Sequence, residues 1–191
     1  MIFSLLLGFA GPLVVDSAMT RAEALGRNHF PAKVLARMEV VTVTYNGFDH
    51  RRHRGQIVAD RAISKEVRQI FDEIEATGFP IKKVVPIVAY GWDDDASVRD
   101  NNTSAFNYRH VILPTGPVKR LSNHANGRAI DLNPGINPFM NADGTSTRPY
   151  DPSKPGTLTL KLPVTQIFLR HGWRWGGVWK GGRDYQHFDK R

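Results

Sequence analysis

The chain contains no cysteine. That excludes a disulfide framework, a thiolate metal ligand and a cysteine nucleophile, so any metal here must be held by nitrogen and oxygen. No apolar run reaches the roughly 18 residues of a membrane-spanning helix. Acidic residues are the scarcer charge: 18 Asp and Glu against 26 Lys and Arg give a formal net charge of +8. Such a surface favours polyanionic surroundings, and nucleic acid, anionic membrane and anionic cell-wall polymer all satisfy it. Internal repeats, linkers and low-complexity tracts are absent. What is present is 191 residues, 41% hydrophobic and 23% charged. That composition describes one globular domain long enough to bury a core and too apolar for wholesale disorder.

The stretch from Ile2 to Val15 is almost wholly apolar and about as long as the core of a signal peptide. Val15-Asp16-Ser17 or Asp16-Ser17-Ala18 could end it, although neither is a clean small-x-small site and no Lys or Arg precedes the run. We expect residues 1–18 to be an export signal or an N-terminal extension, which places the protein in the periplasm or outside the cell.

Further on, β-branched Val40 to Tyr45 predicts a strand, Asn46-Gly47 a turn and Gln56 to Ala59 a second strand. Ile63, Val67, Ile70, Phe71 and Ile74 recur at helical spacing, with Ser64 as N-cap and Gly78 as stop. Lys83 to Ala89 reads as a strand whose proline suggests an edge or bulge. The cationic run Asp49 to Arg54 and the acidic triplet Asp93-Asp94-Asp95 read as solvated loops. Residues 134–156, rich in Pro, Gly, Asn and Ser, read as a long surface loop of the kind that shapes a binding groove. Val164 to His171 is a short helix candidate that stops at Gly172.

Chemistry concentrates in two places. Ser122-Asn123-His124-Ala125-Asn126-Gly127-Arg128-Ala129-Ile130-Asp131 carries a histidine and, seven residues later, a carboxylate; Asp184-Tyr185-Gln186-His187 carries another pair. Ala129 to Leu132 reads as a strand, so a loop and half a strand can bring His124 and Asp131 to one point. Two histidines and two carboxylates are the components of a catalytic zinc site, in which three protein ligands leave a position for water and a nearby carboxylate serves as base. Spacing alone leaves open which carboxylate takes which role. His29, His50, His53, His110 and His171 have no partner carboxylate at a recognisable metal spacing.

Ser-x-His-x-x-Gly-x-Ala-x-Asp, from Ser122 to Asp131, resembles the zinc motif of the D-alanyl-D-alanine carboxypeptidase and L-alanyl-D-glutamate endopeptidase family. So do Trp-Gly-Gly-x-Trp, at Trp175 to Trp179, and Asp-x-x-His-Phe, at Asp184 to Phe188. Asn101 to Arg109 and Ile130 to Pro134 resemble its VanY-like branch. The similarity covers roughly residues 38–191, leaving residues 19–37 as an N-terminal extension of the peptidase domain. It implies an α+β fold in one domain, shared with the hedgehog signalling domain, in which an antiparallel sheet carries the zinc ligands and helices pack on one face. It also implies one zinc ion per chain, held by His124, Asp131 and His187, with Asp184 as base and Arg109 stabilising charge at the scissile carbonyl. Several family members have Glu where this chain has Asp184, a difference that points to the endopeptidase-like branch. Candidate substrate contacts are Asn102, Thr103, Ser104, Tyr108, Ser122, Trp175 and Trp179. Ser122 suits bracing of the ligand loop better than nucleophilic attack, since no base adjoins it.

The resemblance implies peptide-bond hydrolysis in peptidoglycan stem peptides by a monomer without a transmembrane anchor. The basic surface would suit anionic wall polymer, and no nucleic-acid partner is expected. Two other readings stand beside it. A non-catalytic wall-binding module would keep the zinc for structure, but the presence of both Asp184 and Arg109 speaks against it. A His-Asn nuclease would use His124, Asn126 and Asn133, but the Pro/Gly-rich segment after Asn133 leaves no helix for its remaining ligand.

Overall fold

The computed structural model describes residues 11–113, 116–146 and 148–191. Most of the apolar run Ile2 to Val15, and with it the expected core of an export signal, lies outside the described residues. Its end lies inside them, and Val14–Val15 is a short strand.

The largest element is an antiparallel hairpin of Met38–Asn46 and Arg52–Asp60, in register from Met38 opposite Asp60 to Asn46 opposite Arg52. Val14–Val15 adds to its free edge, parallel to His53 and Arg54. Across the hairpin lies the helix Ser64–Ala76, which buries Val67, Ile70, Phe71 and Ile74 as its periodicity predicts. Each of these side chains contributes about 1.5–3 kcal/mol through removal from water. Ser64 does not cap the helix. A 3-10 turn at Arg61–Ile63 precedes it, and the cap is Asp60, whose side chain accepts from the Ala62 N–H.

The expected strand at residues 83–89 is shorter than its β-branched content suggests. Only Lys83–Val84 pairs, parallel to Asn102–Thr103, and after Pro86 the chain turns into a 3-10 helix at Ile87–Tyr90. Proline has no N–H to continue a ladder, so the strand ends before it. The acidic triplet is also more structured than a solvated loop: Asp93 caps the helix Asp94–Arg99 by accepting from the Ala96 N–H.

A second sheet orders Arg174–Trp175, His187–Asp189 and Ala129–Asp131, with His187–Asp189 in the centre. Side chains alternate across a strand. Ile130 and Phe188, paired with each other, enter the core, while Asp131 and His187, also paired, face the other way. The helix Pro163–Arg170 supports this sheet through Phe168, whose ring stacks on Phe188 at 3.9 Å. Both long helices share the core formed by Val41, Ile57, Ile70, Phe168 and Phe188. The result is an α+β fold in which the antiparallel sheet carries two of the three expected ligands; the third lies on a turn.

The 134–156 segment is only partly a surface loop. Asn137 is fully buried and ties Leu132, Asn133, Gly156 and Leu158 together, and Phe139–Asn141 pairs antiparallel with Gly182–Asp184. The described part of the N-terminal extension packs against the domain. Gln56 holds both the N–H and the carbonyl of Met19, Trp92 donates to the Gly26 carbonyl, and Phe30 meets Trp92 edge-on at 4.7 Å. Among the described residues no helix is long and apolar enough to cross a membrane.

Candidate metal centre

His124 sits in a 3-10 turn, Asn123–Asn126, set up at both ends by the sequence around it. Ser122 caps the turn by accepting from the His124 N–H at 3.3 Å. Gly127 ends it in the left-handed region at φ +63°, where a Cβ would lie 2.6 Å from the Asp60 nitrogen. A side chain there would meet both backbone strain and a collision. The His124 ring is oriented by Nδ1, which donates to the Ala105 carbonyl at 2.6 Å and leaves Nε2 as the available donor atom.

Antiparallel pairing brings the other two residues together. With His187 directly opposite Asp131, the His187 Nδ1 lies 2.9 Å from Asp131 Oδ1, and His124 Nε2 lies 3.2 Å from Asp131 Oδ2 and 3.2 Å from His187 Nδ1. All three residues are buried, and their ligand atoms fall within 4.8 Å of one another. Two hydrogen bonds to Ser104, through both the N–H and the carbonyl of Asp131, fix that strand from its other side.

The electrostatics fit a cation. Burial alone would raise the Asp131 carboxyl, but His124 and His187 outweigh burial and hold it far below the usual carboxylate range. Burial likewise disfavours a charged His187, yet Asp131 and Asp189 raise it to about 10. The proton on His187 thus neutralises a buried carboxylate, the role that a metal ion would take over. Two imidazoles and one carboxylate are the hard-to-intermediate donors that zinc accepts, and the residues present fit that ion.

Asp184 stands apart from this cluster. Burial first, and then the Asp131 charge, push its carboxyl up to about 6, partly offset by His187, His124 and Arg109. Its Oδ1 is buried without a hydrogen-bond partner. Gly176 allows this position, since a Cβ there would lie 3.0 Å from Asp184 Cβ. Arg109 pairs with Asp94 at 3.2 Å through its terminal nitrogen, and its Nε is also buried and unpartnered. An unmatched carboxylate oxygen and an unmatched guanidinium N–H at one site are groups awaiting a ligand.

The remaining candidates divide. Trp179 is 39% exposed, and its ring lies 5.3 Å from the His187 ring, so it forms one wall of the site. Trp175 is buried behind it and donates to the Tyr185 carbonyl. Tyr108 packs with Phe30 rather than standing free. Ser104 acts here through its backbone. Asn102 and Thr103 do not face a substrate: both are fully buried, the Asn102 amide is spent on Val85 and Ser97, and the Thr103 hydroxyl accepts from the Asn133 N–H. Asn133, required by the nuclease reading, is likewise spent on Lys82, Pro80 and Gly156.

The roles of Asp189, Arg174, Asn123 and Asp94 escaped the sequence analysis. Asp189 lies 3.9 Å from His187 Nε2 and is held by Arg174 at 2.8 and 2.5 Å and by Asn123 at 2.6 Å. Burial pushes its carboxyl up, but His187 and Arg174 prevail and hold it at about 2. For Asn123 and Asp189 the signal was adjacency, since Asn123 precedes one ligand and Asp189 follows another by two residues. The role of Asp94 as partner of Arg109 and Asn107 had no signal in the acidic triplet.

None of the curated proteins or solved structures matches this chain. The family model described as D-alanyl-D-alanine carboxypeptidase does match, over residues 115–190, a segment that contains His124, Asp131, Asp184 and His187 but not Arg109. Over residues 115–190, therefore, the chain is similar to the D-alanyl-D-alanine carboxypeptidase family of peptidases.

Proposed function

We propose that the protein is a zinc-dependent peptidase that hydrolyses a peptide bond in peptidoglycan stem peptides, either a terminal D-alanyl bond or the L-alanyl-D-glutamate bond. The observation that carries this reading is the pairing of a closed, buried set of three donors with an unpartnered carboxylate raised to about 6. His124 Nε2, Asp131 and His187 Nδ1 would hold the ion, and a bound zinc supplies Lewis acidity that polarises a carbonyl and acidifies water.

The chain's own residues do the rest. Asp184, its proton affinity close to neutrality, takes the proton of the attacking water and returns it to the leaving amine. Its burial keeps bulk water from competing for that proton. Arg109 stabilises the negative charge that develops on the carbonyl oxygen, using the N–H left unpaired in the resting site. Asp94 keeps the guanidinium in place for that task. Ala105 and Asp189 hold the two imidazoles in the tautomer and orientation a ligand requires. This substrate implies export to the cell wall, where the net charge of +8 suits an anionic polymer.

The test is incubation of the purified protein with a defined muropeptide mixture, with chelator and after zinc is restored, read by mass spectrometry. We expect cleavage that chelator abolishes and zinc restores. Asp184→Ala should bind zinc and cleave nothing. Cleavage that survives chelation, or an inert zinc-loaded protein, would overturn the reading.

A further inference from the structure

Beside the metal centre, beyond Trp179, lies a groove of about 900 Å³. One side is the strand pair Phe139–Asn141 and Gly182–Asp184, and the other is the Gly176–Lys180 turn. Its base is aromatic and rigid. Tyr150 and Tyr185 stack at 3.8 Å and 10°, the Tyr150 hydroxyl donates to the Leu158 carbonyl, and Trp175 donates to the Tyr185 carbonyl. At the rim Val178, Trp179 and Leu160 are 56, 39 and 47% exposed.

The polar character of the groove has one sign. Lys180 and Arg183 line it and are exposed, and among the described lining residues no side chain is a carboxylate. Asp143, in the turn between lining residues Ala142 and Gly144, is occupied by the Thr145 N–H and hydroxyl at 2.9 and 2.7 Å. Asp184 adjoins Arg183 in the strand, but alternation directs it to the opposite face. Arg183 is in place over the aromatic base, with its guanidinium 3.4 Å from the Tyr185 hydroxyl. Planar apolar walls bounded by two cations suit a ligand with an apolar backbone and free carboxylates.

We propose that this groove is a subsite for the carboxylate-bearing arm of the substrate: Lys180 and Arg183 take a free carboxylate, and Trp179 guides the chain from the groove to the metal centre. The identity of the ligand rests on the peptidase reading; the preference of the groove for a carboxylate does not. A charged subsite next to the reacting centre converts remote binding into positioning of the scissile bond.

The experiment is calorimetric titration of the full chain, stripped of metal so that a carboxylate cannot register by binding an ion. The probes are L-Ala-γ-D-Glu-L-Lys with its glutamyl α-carboxylate free and the same tripeptide with that group amidated. We expect the free acid to bind roughly three- to tenfold more tightly, the range of two exposed ion pairs. Lys180→Glu with Arg183→Glu should erase that preference while the melting temperature holds, both side chains being exposed. Trp179→Ala should weaken both probes alike. Equal binding of the two probes, a preference that survives the charge reversal, or displacement of the peptide by a short oligonucleotide overturns the subsite. A protein that shows the preference yet hydrolyses no muropeptide with zinc retains the subsite and loses the peptidase reading.

Discussion

Replacing Asp184 by Asn should stabilise the metal-free protein while destroying the activity proposed for it. In the fold, burial and the Asp131 charge raise the Asp184 carboxyl from 3.8 to about 6. A raised folded-state value means that the neutral form is favoured in the fold. Its stabilising contribution is complete below the unfolded value and is lost as the pH rises through about 6. Above that pH the wild type carries an ionised buried group, at a cost approaching 3 kcal/mol at about 1.4 kcal/mol per pH unit. Asparagine keeps the shape and has no charge to bury. In chelator at pH 8, Asp184→Asn should therefore melt roughly 6–12 °C above wild type for a chain of this length, and at pH 4 the difference should nearly vanish. Calorimetric melting across that pH range is the assay, with muropeptide hydrolysis measured after zinc is restored. A variant no more stable than wild type at pH 8, or equally stabilised at both pH values, would refute the account of Asp184 as a buried, strained base.

Zinc binding should release about one proton near neutral pH, because His187 is held at about 10 and must deprotonate to become a ligand. Affinity should then decline as the pH is lowered, and titration in buffers of different ionisation enthalpy would reveal an absence of proton release. Asp189→Asn should weaken zinc binding by about 10- to 100-fold through loss of the carboxylate behind His187; unchanged affinity in a competition assay would remove Asp189 from the site. Gly127→Ala should cost about 1–2 kcal/mol from its left-handed backbone alone, with more from the contact with Asp60, lowering both melting temperature and zinc affinity. Phe30→Ala should cost about 1–3 kcal/mol by emptying the cluster with Trp92, Phe106 and Tyr108, and a neutral result in denaturant unfolding would mean that the extension is only loosely applied.

The two segments that meet at the candidate metal centre were legible because each histidine stands a few residues from a carboxylate, but the division of roles between Asp131 and Asp184 came from the family resemblance and not from spacing. The Ser64–Ala76 helix was legible for a similar reason, since period alone determines which face is buried. Long-range pairings were not. Nothing within Asp93-Asp94-Asp95 says that Asp94 will meet Arg109, 15 residues on in the chain, or that Phe30 will meet Trp92. Asn102 and Thr103 looked like substrate donors because polar residues near a site usually are. Here they satisfy buried backbone groups that a folded interior cannot leave unpaired. The groove beside Trp179 was foreshadowed by the Pro/Gly-rich residues 134–156, but its walls depend on Phe139–Asn141 pairing with Gly182–Asp184, a register that neither segment encodes alone.

The short strand at Val14–Val15 bears on how the chain could be processed. It covers the outer edge of the Arg52–Asp60 strand, and just beyond it Asp16 accepts from the Tyr45 hydroxyl and meets His53 at 2.8 Å, while Ser17 donates to Gln56. A cut between residues 17 and 19 would leave all of this on the wrong side of the scissile bond. The remaining protein would expose the backbone groups of His53 and Arg54 on that edge, a short stretch open to edge-to-edge association. Trimming at that point would therefore yield a stickier molecule, whereas a cut ahead of residue 13 would leave the edge covered.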